Sequence, residues 1–125
     1  MKKILLLSFL FVTAFYFADA QLSGSKWKGM LKVPDPMQTV LEFKNDTLVN
    51  VINVSEDNIV ETMSYVVKDS VISLRKISGS SPCDENTIGR YKITWKDDKF
   101  TIALIEDGCD IRGNAFTSEP WEKIK

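Results

Sequence analysis

Histidine is absent from this chain. That absence removes Ser-His-Asp and Cys-His catalysis, HExxH zinc sites and any imidazole proton shuttle. An excess of one charge is missing too: 16 Lys and Arg stand against 17 Asp and Glu, a formal net charge of −1. No basic surplus exists to draw in nucleic acid or an anionic membrane surface. With six glycines and four prolines, collagen-like repetition is excluded, and 44% hydrophobic against 26% charged residues excludes disorder. No internal repeat, linker or low-complexity stretch interrupts the chain, and its 125 residues leave room for one domain.

Positively, the start of the chain reads as an export signal. Lys2 and Lys3 form a basic start, Ile4 to Ala18 is an almost unbroken apolar run, and Ala18-Asp19-Ala20 places small residues at −3 and −1 of a cleavage site before Gln21. As a helix the run would reach only about 22 Å, short of a hydrocarbon core of roughly 30 Å. Residues 1–20 are therefore expected to be a cleaved signal peptide. Residues 21–125 form the domain, with no membrane segment left after cleavage and a secreted or periplasmic destination. The residue after the site is Gln21, not cysteine, so no lipoprotein anchor is expected. An exported chain with two cysteines, Cys83 and Cys109, is expected to oxidise them to one disulfide.

From Lys26 onward hydrophobicity alternates with period two, and no helical stretch of useful length occurs. Trp27, Gly29, Leu31 and Val33 alternate with Lys26, Lys28, Met30 and Lys32. Leu41 and Phe43 face inward on Thr39–Lys44, and Ile72 and Leu74 share a side of Val71–Ile77. Thr47–Val54 and Ile59–Val67 are β-branched runs with ambiguous faces. Tyr91, Ile93 and Trp95, then Phe100, Ile102 and Leu104, alternate cleanly, and a last strand lies near Trp121–Ile124. The count is about eight. Asn45-Asp46, Lys68-Asp69-Ser70 and Asp97-Asp98 read as tight turns. Pro34–Gln38, Ser55–Asn58, Ser78–Ile88 and Asp107–Pro120 read as longer loops. Short and long connections alternate, so an up-and-down antiparallel sheet gathers the long loops, and both cysteines, at one end. Closing that sheet into a single all-β barrel removes its edges and leaves an interior for side chains or one small ligand.

This layout resembles the secreted lipocalin-like domains of Gram-negative bacteria, small members of the calycin barrel group. The residues that carry the likeness are Gly24-Ser25-Lys26-Trp27, Gly89-Arg90-Tyr91-Lys92-Ile93 and Asp107-Gly108-Cys109-Asp110-Ile111-Arg112, with Trp121 shortly after. The resemblance implies a barrel-closing contact between Trp27 and Arg112, although Arg112 here precedes the last strand. It also implies a barrel for a small apolar molecule.

The candidate ligand-binding set is Trp27, Leu31, Phe43, Tyr65, Tyr91, Trp95 and Phe100. Inward aromatics also serve plain core packing, which is the competing expectation. Glu61 shares a face with Met63 and Tyr65, and Arg75 with Ser73. Turned inward, Glu61 and Arg75 would pair or hold a polar ligand head. Because a buried unpaired charge costs several kcal/mol, both are expected to face water. Asp84, Glu85, Asp107 and Asp110 flank the cysteines, but without Asp-x-Asp-x-Asp-Gly spacing they suit turns better than calcium. No metal, cofactor or catalytic residue is expected. Asn45-Asp46-Thr47 and Asn53-Val54-Ser55 match the glycosylation sequon, and Asn45 is better explained as a turn residue.

The expected function is that of a monomeric, non-catalytic barrel binding a small apolar or amphipathic molecule. The alternative is a protein-binding module, such as a periplasmic protease inhibitor. It would act through a disulfide-braced loop end carrying Pro34, Pro36, Pro82 and Pro120.

Overall fold

The period-two pattern folds as it reads. A computed structural model describes residues 22–125, so the expected signal peptide lies outside the described residues. Eight strands run in chain order: β1 (Lys26–Lys32), β2 (Pro36–Phe43), β3 (Leu48–Asn53), β4 (Asn58–Lys68), β5 (Val71–Gly79), β6 (Ile88–Lys96), β7 (Lys99–Asp107) and β8 (Trp121–Ile124). Each pairs antiparallel with its sequence neighbour, and β8 returns to β1 to close an up-and-down barrel. Among the described residues no helix is long and apolar enough to cross a membrane.

Two departures from expectation shape the mouth. β2 begins at Pro36 instead of Thr39, because Pro36 to Gln38 pair with Lys32, Leu31 and Met30 and extend the first hairpin. The β1–β2 connection thus shrinks to residues 33–35. A one-turn helix, α1 (Asp110–Gly113), interrupts the loop before β8. A single turn is too short to leave a 3.6-residue period in the sequence.

Turn chemistry follows the residues. Asp69 and Ser70 both have positive φ, as does Asp97, a conformation that short polar side chains tolerate in two-residue hairpins. The Asn45 side-chain oxygen accepts from Thr47 N, Thr47 Oγ1 and Leu48 N, each at 2.9 Å. Its backbone oxygen accepts from Tyr65 Oη at 2.6 Å. Asn45 is a turn residue, as expected. These tight turns share one end of the barrel, and the connections 33–35, 54–57, 80–87 and 108–120 share the other, which we call the mouth.

Inward side chains are graded in size from turns to mouth. At the turn end stand Trp27, Phe43, Tyr65 and Phe100, all buried, with half-buried Trp95 beside them. Trp27 lies edge-on to Trp95 and Phe100, with centroids 5.6 and 4.8 Å away. Phe43 meets Tyr65 edge-on at 5.0 Å. Leu22 plugs this end from outside the strands, and Ser25 Oγ accepts from the Trp27 indole at 2.7 Å. Following each strand toward the mouth, Trp27 gives way to Gly29 and Leu31, Phe43 to Leu41 and Thr39, and Tyr65 to Met63 and Glu61. Trp121 fills the space over Gly29, where an added Cβ would lie 2.5 Å from the indole. One half of the barrel is solid; the other is not.

Closure is uneven as well. β8 pairs with β7 only at Lys99–Glu122 and Phe100–Trp121, so near the mouth the loop after β7 fills the seam. There Phe116 bridges to Leu31, and Lys32 N donates to Ala115 O at 2.9 Å.

Candidate functional site

The size gradient leaves a cavity of about 280 Å³ at the mouth. Its barrel wall is Leu31, Met37, Val51, Val60 and Met63. Pro82 and Cys83 from the β5–β6 loop, together with Ile111, Ala115 and Phe116 from the β7–β8 loop, form the opposite wall. The polar side chains lining it include Glu61, Arg112, Ser80 and Ser81. A mostly apolar concavity with few polar groups is the usual form of a small-molecule site.

The Cys83–Cys109 disulfide joins the two loops that build the second wall, with Cα atoms 5.5 Å apart. The sequence expectation of this bridge is met. Behind it lies a buried ion pair. Arg112 Nε and Nη2 donate to Asp107 Oδ2 and Oδ1 at 2.6 and 2.9 Å, and Nη2 also donates to Thr87 O at 2.9 Å. Tyr91 Oη donates to Asp107 Oδ2, and Cys109 N to Oδ1 at 2.8 Å. The Asp107 side chain is fully buried and Arg112 is 5% exposed. Gly89 makes room for this cluster, since a Cβ there would lie 2.1 Å from Asp107 Oδ2. Burial works against the charged carboxyl, yet the bonds from Arg112 and Tyr91 outweigh it and hold Asp107 below its ordinary range. Burial and the neighbouring Asp107 together push the Tyr91 phenol up. Arg112 Nη1 is buried with no hydrogen-bond partner.

Glu61 corrects the sequence reading. It is 8% exposed and lines the cavity instead of facing water. Ser81, twenty residues on, stabilises it: Ser81 Oγ donates to Oε2 and Ser81 N to Oε1 at 3.4 Å. Gly79 pairs with Glu61 across β4 and β5 at positive φ, and a Cβ there would fall 2.0 Å from Oε1. Only a residue without a side chain leaves the carboxylate that space. Arg75 faces out, as Ile72 and Leu74 implied, so the two residues do not pair.

Of the seven expected ligand-binding residues, Leu31 lines the cavity. Trp27, Phe43, Tyr65, Trp95 and Phe100 pack in the turn-end core. Tyr91 stands between core and mouth, with its ring 5.0 Å from Phe116 and its hydroxyl on Asp107. The Trp27–Arg112 contact implied by the resemblance gives way to other partners. Trp27 opens β1 at the turn end, while Arg112, preceding β8, lies in a mouth loop. Glu61 and Ser81 share no local motif, and the inward alternation of Glu61 with Met63 and Tyr65 was the one signal pointing to the site. Among the described residues no three His, Cys, Asp or Glu side chains converge as a metal site would require.

Comparison with known family models, curated proteins and solved structures finds no significant match.

Proposed function

We propose that this barrel is a lipocalin-like carrier that holds one small apolar or amphipathic molecule in its mouth cavity, without catalysis. The observation that carries the reading is the contrast between halves. Aromatic residues fill the turn end, whereas small and aliphatic ones leave about 280 Å³ open beneath the disulfide-linked loops. A core selected for stability alone would fill that volume, because unfilled space forfeits packing energy. The disulfide supports export to an oxidising compartment, in keeping with the signal-like first twenty residues.

The test is native mass spectrometry of the oxidised protein taken from its own secreted or periplasmic extract. A bound mass that departs on denaturation is the expected result. A cavity-filling Ala115→Phe variant, still folded, should lose that mass. A bare protein that also takes up no apolar probe in vitro would refute the carrier reading.

A second reading has its own observation. Val33, Val54, Ile59, Ile88 and Ile111 are exposed at the mouth, and apolar residues concentrated at one end of a small domain favour docking to a protein. Under this reading a protein partner would be captured equally by wild type and Ala115→Phe, because the cavity would play no part.

A further inference from the structure

The cavity contains a charge that the rest of the fold does not match. Three buried ionic side chains lie at the mouth: Glu61, Asp107 and Arg112. Arg112 and Asp107 neutralise one another through a two-pronged contact. That leaves Glu61, 92% buried by its residual 8% exposure, with no basic nitrogen within ion-pairing distance among the described residues. Lys76, on the neighbouring strand β5, places its Nζ on Ser81 O at 2.5 Å, so it supports the serine and not the carboxylate directly. Ser81 supplies both of the hydrogen bonds that the Glu61 carboxylate receives. A carboxylate has about four acceptor positions, so capacity remains on the cavity side.

The surrounding fold preserves this arrangement. A register shift between Thr62 and Met63, and Gly79 at φ +138°, both adjoin Glu61. The first sits where the β4 pairing changes, and the second vacates the space that Oε1 takes. A buried carboxylate costs several kcal/mol without a counter-charge, and an apolar residue at 61 would avoid that cost.

Resting on the carrier reading above, we propose that the ligand is a small organic cation: an ammonium group that pairs with Glu61, carried on an apolar body that fills the space between Met37, Met63 and Phe116. Thioether sulfurs and an aromatic ring are favourable neighbours for such a body, an aromatic one above all. An anionic ligand is disfavoured. Although Arg112 Nη1 lacks a partner, that guanidinium is already matched by Asp107, and a second carboxylate would add to the negative charges of Asp107 and Glu61. A neutral oxygen on the ligand suits Nη1 better.

The experiment compares three probes of one shape on the oxidised protein by calorimetry: 2-phenylethylamine, 2-phenylethanol and 3-phenylpropanoate. A charge-assisted bond to a buried carboxylate should favour the amine over the alcohol by roughly ten- to hundredfold, with the carboxylate weakest. Glu61→Gln should bring the amine to the level of the alcohol, read as the ratio of the two affinities within that variant. If that variant does not fold, Glu61→Asp, which withdraws the carboxylate by one methylene, should reduce the amine preference alone. Equal binding of amine and alcohol to the wild type would overturn the cation assignment and leave the carrier reading standing. Tightest binding of the carboxylate would overturn it in favour of Arg112. No binding of any probe would overturn both.

Discussion

Replacing Asp107 by Asn tests the mouth cluster most sharply, because it preserves shape while deleting the charge and one of the two accepting oxygens. Asp107 accepts four hydrogen bonds, from Arg112 Nε and Nη2, Tyr91 Oη and Cys109 N. Its side chain is fully buried and Arg112 is 5% exposed, so solvent does little to screen the pair. Asn would leave the guanidinium buried without a counter-charge, and two of its four contacts would face an amide NH₂ that cannot accept. Breaking a buried pair in this way costs about 3–5 kcal/mol, or roughly 15–25 °C in Tm for a domain near 100 residues. Urea unfolding followed by tryptophan fluorescence would measure it. The pH dependence adds a second reading. Asp107 is held below its ordinary value of 3.8 in the folded protein, so the unfolded chain binds its proton more readily. The stabilisation is thus fully present above about pH 5 and is lost as pH falls through 3.8 toward the lower folded value. The gap between wild type and Asp107→Asn should narrow over that range, while Arg112 stays charged throughout. A loss below 1 kcal/mol at pH 7, or a gap that does not narrow in acid, would refute the assignment of this pair as a stabilising unit. Adding Arg112→Met to Asp107→Asn should recover part of the loss, because it removes the stranded charge.

Three further outcomes follow from other contacts. Cys83→Ser with Cys109→Ser opens a loop of sequence separation 26 and should cost roughly 3–4 kcal/mol by chain entropy, read as a lower urea midpoint. It should also weaken probe binding, since the bridge joins both loops of the cavity wall. Gly89→Ala places a Cβ 2.1 Å from Asp107 Oδ2 and should destabilise strongly, whereas Gly113→Ala, with its nearest neighbour at 3.5 Å, should be close to neutral; thermal melts of the two variants would compare them. Tyr65→Phe removes the 2.6 Å bond to Asn45 O and should cost about 1 kcal/mol in urea unfolding, with the β2–β3 turn exchanging its amide protons faster.

Some features were legible because their causes are local. Alternation along Trp27–Leu31, Tyr91–Trp95 and Phe100–Ile102 marks strands wherever two neighbours differ in polarity. Asp and Asn at the turns carry their own backbone preference, so the eight strands, the closed barrel and the bridging of Cys83 to Cys109 could be read from order and spacing. The mouth could not be read in the same way. Whether Glu61 tolerates burial depends on Ser81 and Gly79, brought beside it by the β4–β5 pairing and the loop that follows. Arg112 turned from the expected Trp27 to Asp107 because its one-turn helix follows β7 directly and so sits at the mouth, beside the end of that strand. Where the barrel is solid and where it is hollow is a sum of side-chain volumes at each level across eight strands. Register sets those levels, and no single strand contains that sum. The sequence by itself determined which residues face inward on most strands; only the tertiary structure decided which of those faces meet a packed core and which meet an open cavity.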